Sequence, residues 1–240
     1  MEDGLLSGAS GGFPVPNPNP RQAPQLAPLR DAELPGFELV PLDLELHASE
    51  LFRLSHGTDE IERTWAYLPY GPFESEEQLC DHYRSLMGAG DPLFYVLLER
   101  GESSPVGVSS YLAIEPAHGC IEIGHIWYAP AWQRTLAGTT ACFLLLQHAF
   151  VDLGYRRLEW KCDALNTRSR AAALRLGFRF EGLFRQHRIV NGINRDTTWF
   201  SILDGEWPRV GQAMRDWLLW DESSGERPSL GSLRGEDSES

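Results

Sequence analysis

Six residues, Gln133-Arg134-Thr135-Leu136-Ala137-Gly138, join a strand-like stretch that turns at Pro130 to an apolar helix that Gly154 can end as a left-handed cap. A strand passing through a short polar loop into a helix leaves backbone N–H groups unpaired at the helix start, with the positive end of the helix dipole behind them. Such a place can hold an anion. An ordinary strand-to-helix crossover has the same residue pattern, and both readings stay open at this point. Asn166 and Ser169 lie three apart at a second helix start, so their side chains return to one face; plain capping explains the same residue types. Trp65, Tyr67, Tyr70 and Phe73 crowd a Pro/Gly-punctuated loop. They could stack on a planar group or cage a cation, or they could pin the loop to the core. Lys161 is the single lysine beside twenty arginines, so Schiff-base chemistry has one candidate, expected to alternate outward on a strand. Cys80, Cys120, Cys142 and Cys162 form no CxxC pair, which supports neither a zinc site nor a thioredoxin-type motif. They read as reduced, mostly buried thiols of an intracellular, cytoplasmic protein, and no metal is expected.

The elements that must position these residues fit one domain of ordinary size: 240 residues, 42% of them hydrophobic, supply a real core. A net charge of −13 without a basic stripe argues against a nucleic-acid partner. No stretch approaches ~20 consecutive apolar residues, which argues against a membrane span. Residues 1–29 hold the run FPVPNPNP, whose prolines block helix and sheet, so a disordered or polyproline-like tail is expected there, and its acids at Glu2 and Asp3 do not suit a secretory signal. Residues 221–240, with six acids and two arginines, read as a solvated acidic tail, leaving 30–220 as the folded domain.

Within the domain, Phe37 to Leu42 is predicted as a strand and Leu46 to Leu54 as a helix. Ser75 to Gln78 fits a capping box opening a helix that Gly88-Ala89-Gly90 ends. Leu93 to Glu99, Val106 to Ile114 and Cys120 to Tyr128, with short turns between them, predict an antiparallel meander. Arg157 to Cys162 alternates with period two, Asn166 can cap a helix that Gly177 terminates, and Phe178 to Val190, Asn191-Gly192 and Ile193 to Leu203 predict a hairpin. The fold class is α/β or α+β with a mixed sheet.

The order of these elements, the segment Gln133 to Gly138 entering a long helix, Asn166-Thr167-Arg168-Ser169 opening the next, and Leu176-Gly177-Phe178 followed by Glu181-Gly182 resemble the GNAT N-acetyltransferase superfamily, most of all its RimJ/RimL-like branch. That branch includes ribosomal-protein N-terminal acetyltransferases and small-molecule N-acetyltransferases. The resemblance covers roughly residues 35 to 210 and extends to Trp65 to Phe73 and Phe200 to Pro208. It implies a mostly antiparallel sheet of six to seven strands, splayed where acetyl-CoA enters, in a monomer or homodimer. Acetyl-CoA is then the donor and a primary amine the acceptor, a small molecule or a protein N-terminus.

On this resemblance the amides from Arg134 to Thr139, with Gln133, Leu136, Ala137 and Gly138 in the same loop, hold the pyrophosphate. Leu136 stands where the family pattern usually has glycine, and this matters if the backbone there has positive φ or must touch phosphate. Backbone groups of Ile126, Trp127 and Tyr128 pair with the pantetheine arm, and Asn166 also holds it. Strand alternation puts Glu122, Gly124, Ile126 and Tyr128 on one face and His125 on the other. Glu122 is the favoured base, directly or through water, unless its carboxylate only bonds a nearby turn; His125 has the better intrinsic pKa and becomes a candidate if a bulge shifts the register. Ser169, or else Tyr128, is the acid for the departing thiolate. Trp65, Tyr67, Tyr70 and Phe73 form one wall for the acceptor. A non-catalytic acyl-CoA-binding module is the alternative, with Leu136 its only hint.

Overall fold

The computed structural model describes residues 21–34 and 36–236. The strands are β1 (Phe37–Pro41), β2 (Leu93–Glu99), β3 (Pro105–Glu115), β4 (Cys120–Tyr128), β5 (Arg157–Asp163), β6 (Arg179–Val190) and β7 (Ile193–Leu203). The helices are α1 (Leu44–Ser55), α2 (Asp59–Glu62), α3 (Glu76–Met87), α4 (Leu136–Gln147), α5 (Thr167–Leu176), α6 (Trp207–Leu218) and α7 (Leu230–Leu233). One seven-stranded sheet has the order β1-β2-β3-β4-β5-β7-β6, antiparallel at every pair except the parallel β4–β5. This is the mixed, mostly antiparallel sheet that the sequence predicts.

Local chemistry explains most boundaries. Ser75 Oγ accepts from the Gln78 amide at 3.2 Å, while the Gln78 side chain accepts from the Glu74 amide, one residue before the reciprocal partner of a capping box. Gly177, at φ +100°, ends α5, and Asn191-Gly192, both at positive φ, make the β6–β7 turn. Helix α4 is buried nearly all round, as befits a central helix, and it runs into a π-helical turn, His148–Asp152, before Gly154 at φ +70°.

The sheet has a core on each face. Helix α4 with α5, α6 and α7 covers one, where Ile121, Ile123, Leu158, Trp160 and Phe200 pack. Helices α1 and α3 cover the other, where Leu51, Trp65, Tyr83, Phe94, Val108 and Trp127 pack. No helix among the described residues is long and apolar enough to cross a membrane.

The ends differ from expectation. Leu29, placed in a tail by composition, bridges Leu39 and joins the α4-side core, and Arg21 Nε donates to the Gly154 carbonyl at 2.8 Å. The FPVPNPNP run lies outside the described residues. The chain beyond Asp221 is not simply solvated: α7 buries Leu230, and Arg234, 6% exposed, donates to the Arg175 carbonyl at the end of α5 and pairs with Glu236. Carbonyls at a helix C-terminus lack intrahelical partners, which makes them natural acceptors for an arginine.

Candidate functional site

Strands β4 and β5 pair from Cys120/Arg157 through Ile123/Trp160 and no further. Gly124 to Tyr128 therefore have β3 on one side and, among the described residues, no strand on the other, and this split is the feature around which the candidate residues gather. At the same place β4 carries a bulge. Val108 pairs Trp127 and Ser110 pairs Gly124, so Ser109 faces both His125 and Ile126, and His125 takes φ +51°.

The bulge corrects the expected alternation. Ile121 and Ile123 belong to the α4-side core, which turns Glu122 toward the opposite face. After the bulge, Ile126 and Tyr128 pack on the α4 side, while Trp127 packs on the α1/α3 side and His125 meets Tyr70 and Phe94 there. Glu122 thus shares a face with His125, and Tyr128 does not share it. An extra residue reverses the alternation of everything after it.

On the α1/α3 face, Glu122 is 8% exposed and its Oε2 accepts from Lys161 Nζ at 2.8 Å. Lys161 is not directed outward as expected: it also pairs with Glu159 at 2.8 Å and lies 3.8 Å over the Trp199 ring. Burial raises the Glu122 pKa, and the Lys161 charge opposes the rise without cancelling it. Burial works against the ammonium of Lys161, but Glu122 and Glu159 outweigh it and raise its pKa.

His125 Nδ1 lies 2.7 Å from the Tyr70 hydroxyl, and burial, helped by His82, lowers its pKa to about 4 from 6.5. The unfolded chain therefore binds the proton more readily across that interval, so folded-state stability falls as pH drops from about 6.5 toward about 4. Pairs of melting curves for wild type and His125→Asn, a residue that tolerates positive φ, should show a shallower acid loss in the variant. Parallel curves would mean that His125 titrates normally.

On the α4 face, Ser169 Oγ accepts from Trp160 Nε1 at 3.0 Å, which ties it to the β5 residue where the split begins. Asn166 caps α5, its Oδ1 accepting from the Ser169 amide at 3.0 Å. The Tyr128 ring stacks between two glycines: a Cβ on Gly138 would come within 3.3 Å of it, and one on Gly107 within 2.4 Å. Burial raises the pKa of its phenol, keeping it protonated.

The loop ahead of α4 is shorter than expected, because the helix begins at Leu136 and Gly138 lies within its first turn. Positive φ falls on Arg134, at +62°, and not on Leu136, so the Leu136 side chain meets no backbone obstacle. Thr135 is the N-cap and its Oγ1 accepts from Ala137. The amides of Thr135 to Gly138 are the four without intrahelical acceptors, whereas Thr139 is the first to reach one. The Thr139 side chain is fully buried and accepts from Arg175 at 2.9 Å, which removes it from an anion site. Arg134 is exposed, and Gln133 Nε2 donates to the Tyr128 carbonyl at 2.9 Å, fixing the loop to the end of β4.

The aromatic loop divides. Trp65 is 2% exposed, with Nε1 donating to the Ser55 carbonyl at 2.8 Å, so its faces are not available to a ligand. Phe73 leans on Trp65, and its amide donates to His56 Nε2. Tyr70 reaches His125, and exposed Tyr67 donates to the Leu165 carbonyl at 3.3 Å, across the split. Trp199, His82 and Arg195 were not foreseen. Trp199 Nε1, His82 Nε2 and Arg195 Nε are buried without a hydrogen-bond partner among the described residues. The period-two pattern Arg195, Thr197, Trp199 was the available signal for two of them. No group of His, Cys, Asp or Glu among the described residues could hold a metal ion.

A family profile described as "Acetyltransferase (GNAT) domain" matches residues 37–179. The chain is 37% identical to a GCN5-related N-acetyltransferase from Brucella melitensis, whose crystal structure superposes with a TM-score of 0.83 over 90% of this chain and 97% of that one. It is 41% identical to a GNAT-family chain from Chromobacterium violaceum, with a TM-score of 0.76 over 82% of this chain and 96% of that one. The Bacillus subtilis protein YdaF, whose name suggests a ribosomal N-acetyltransferase, is 31% identical over 125 residues, 52% of this chain and 64% of that protein. The match thus spans somewhat less than two thirds of that relative's length.

Proposed function

From the premise that this chain belongs to the GNAT acetyltransferase family, we propose that it is an acetyl-CoA-dependent N-acetyltransferase acting on a primary amine, by direct attack with both substrates bound. The observation that carries this reading is the parting of β4 from β5 after Ile123/Trp160, beside the start of α4, where the Ala137 amide is capped by Thr135 and the neighbouring amides of Leu136 and Gly138 have no intrahelical acceptor. A strand edge without a neighbour suits an amide-bearing chain such as pantetheine, and a helix start suits its pyrophosphate.

Acetyl-CoA supplies an activated thioester. The edge from Ile126 to Tyr128 and the side chain of Asn166 orient it, the amides of Thr135, Leu136 and Gly138 hold its phosphates with Arg134 alongside, the Ala137 amide being taken by the Thr135 cap, and an amide on the free edge donates to the carbonyl oxygen as charge develops there. Glu122, on the α1/α3 face, takes the amine proton directly or through water. Ser169, on the other face, donates to the leaving thiolate, with Tyr128 as the second donor. Base and acid on opposite faces of the split match an amine arriving from one side and a thiol departing from the other. Tyr70 and Tyr67 line the acceptor side. The four cysteines of the chain are free thiols, in keeping with a cytoplasmic enzyme. The YdaF name favours a protein N-terminus over a small amine as acceptor.

Leu136, the one hint of a binding module without turnover, does not occupy the positive-φ position, which falls on Arg134. Acetyl-CoA consumption with an amine panel, read by mass spectrometry of the products, tests turnover directly. CoA at about 100 times its dissociation constant should stabilise the fold by about 2.7 kcal/mol. Gly138→Asp should abolish that shift, since its carboxylate would repel the pyrophosphate and its Cβ crowds Tyr128. Unchanged melting of the wild type at millimolar CoA would refute the donor assignment.

A further inference from the structure

The β6–β7 hairpin holds an arrangement that folding alone does not favour. Arg188 stands directly opposite Arg195. Like charges in facing positions of an antiparallel pair repel. Neither guanidinium, nor that of Arg185 in the adjoining bulge, has a carboxylate within 4.0 Å among the described residues, although the chain carries 34 acids and only 21 Lys and Arg. The bulge places Gln186 at φ +51°, its amide donating to Asp196 Oδ1 at 2.6 Å, and turns His187 onto Thr197 Oγ1 at 3.0 Å.

Arg188 and Arg195 share the face of Glu122. Along β7, Arg195, Thr197 and Trp199 alternate onto one side, and Trp199 pairs in register with Lys161, whose ammonium reaches Glu122. Arg195 is near enough to Glu122 to oppose, as does Lys161, the rise that burial gives its pKa. From the split outward the surface runs from Glu122 to Lys161 and Trp199, then to Phe184, whose ring lies 4.7 Å from Trp199, and on to Arg188, Arg195 and the exposed Ile193.

We infer that this face of the hairpin docks the N-terminal segment of a polypeptide acceptor that is acidic at about its third to fifth residues. The inference rests on the acetyl-transfer reading for the position of the amine. Trp199 and Arg195 are four residues apart on β7, about 13 Å at strand pitch, and an extended peptide covers that span in about four residues. An amine at Glu122 thus brings the next few side chains over Trp199 and Phe184 and puts a following carboxylate between the two arginines. An Arg–carboxylate contact satisfies donors that the fold leaves unpaired. Apolar Phe184 and Ile193 interleaved with arginine, in a chain of net charge −13, suit a peptide better than a polyphosphate backbone.

The test uses the full chain and two short fluorescent peptides of equal length, one with Asp and Glu at the third to fifth positions and one with Asn and Gln there. Anisotropy without acetyl-CoA should show the acidic peptide bound about tenfold more tightly, with the advantage shrinking as salt rises. With acetyl-CoA, the acidic peptide should have the lower KM at a similar kcat. Arg188→Glu with Arg195→Glu should reverse the preference, and Arg195→Gln should reduce it without lowering the melting temperature, because it removes a repulsion. Moving the acids toward the far end of the peptide should erase the advantage. Equal binding of both peptides, or preferential binding of a short RNA, overturns the inference. If neither peptide nor any amine consumes acetyl-CoA while charge-selective binding persists, the acetyl-transfer reading falls and the docking face stands.

Discussion

Glu122→Gln should lower kcat by about 10²-fold or more at neutral pH, with the loss shrinking at high pH, where the amine is already deprotonated. The carboxylate is buried at the split, on the face proposed for the amine, and burial raises its pKa. Glutamine keeps the shape and can still accept from Lys161, but it cannot take a proton. Lys161 keeps its second partner, Glu159, so the variant should lose no more than about 2 kcal/mol of stability and remain folded. Acetyl-CoA affinity should hardly move, because Glu122 is no part of the site proposed for the donor. Activity within a factor of a few of wild type across pH would leave Glu122 as an anchor for Lys161 and pass the proton to solvent. Ser169→Ala, made in parallel, probes the other face: a fall in kcat with retained donor affinity is expected if its hydroxyl protonates the thiolate.

What could be read from the sequence was set by chemistry close along the chain. Ser75, Gly177 and Asn191-Gly192 act within a few residues of themselves, and each ends or opens an element where it was expected. The loop before α4 was legible for the same reason in its existence but not in its end, since the helix starts at Leu136 and takes in Gly138. The side-chain placement around the split was not, because it depends on pairing between strands. The bulge at His125 arises where β3 offers Ser109 alone to two β4 residues, and only that register reveals that Glu122 and Tyr128 face opposite ways. Lys161 looked like an outward strand residue since its partners, Glu122 on one strand and Trp199 on another, are distant in sequence. Composition misled at the C-terminus too: Leu230 and Arg234 sit in an acidic, Ser-rich segment, yet Leu230 is buried in the α4-side core and the carbonyls that Arg234 meets on α5 lie some 60 residues away.

Trp65→Ala should cost about 3–5 kcal/mol of stability and weaken donor and acceptor binding together. The indole is 2% exposed and packs within 6.0 Å, ring centre to ring centre, of His56, Tyr70, Phe73 and Trp127. Truncation leaves a cavity among those rings and deprives the buried Ser55 carbonyl of the indole N–H it accepts. The damage should then spread in two directions. Trp127 forms part of the free edge of β4, so loss of its neighbour loosens the place proposed for the pantetheine arm. Tyr70 fixes His125 through its hydroxyl, so the bulge loses its tether on the acceptor side. Tyr67→Ala is the contrast: its ring is 44% exposed, and its removal should change stability by no more than about 0.5 kcal/mol while raising the acceptor KM if it touches the acceptor. Chemical denaturation of the two variants decides between a structural and a ligand-stacking role before any acceptor is known. Wild-type stability in Trp65→Ala with a raised acceptor KM alone would restore the indole as a stacking surface and contradict the packing described above.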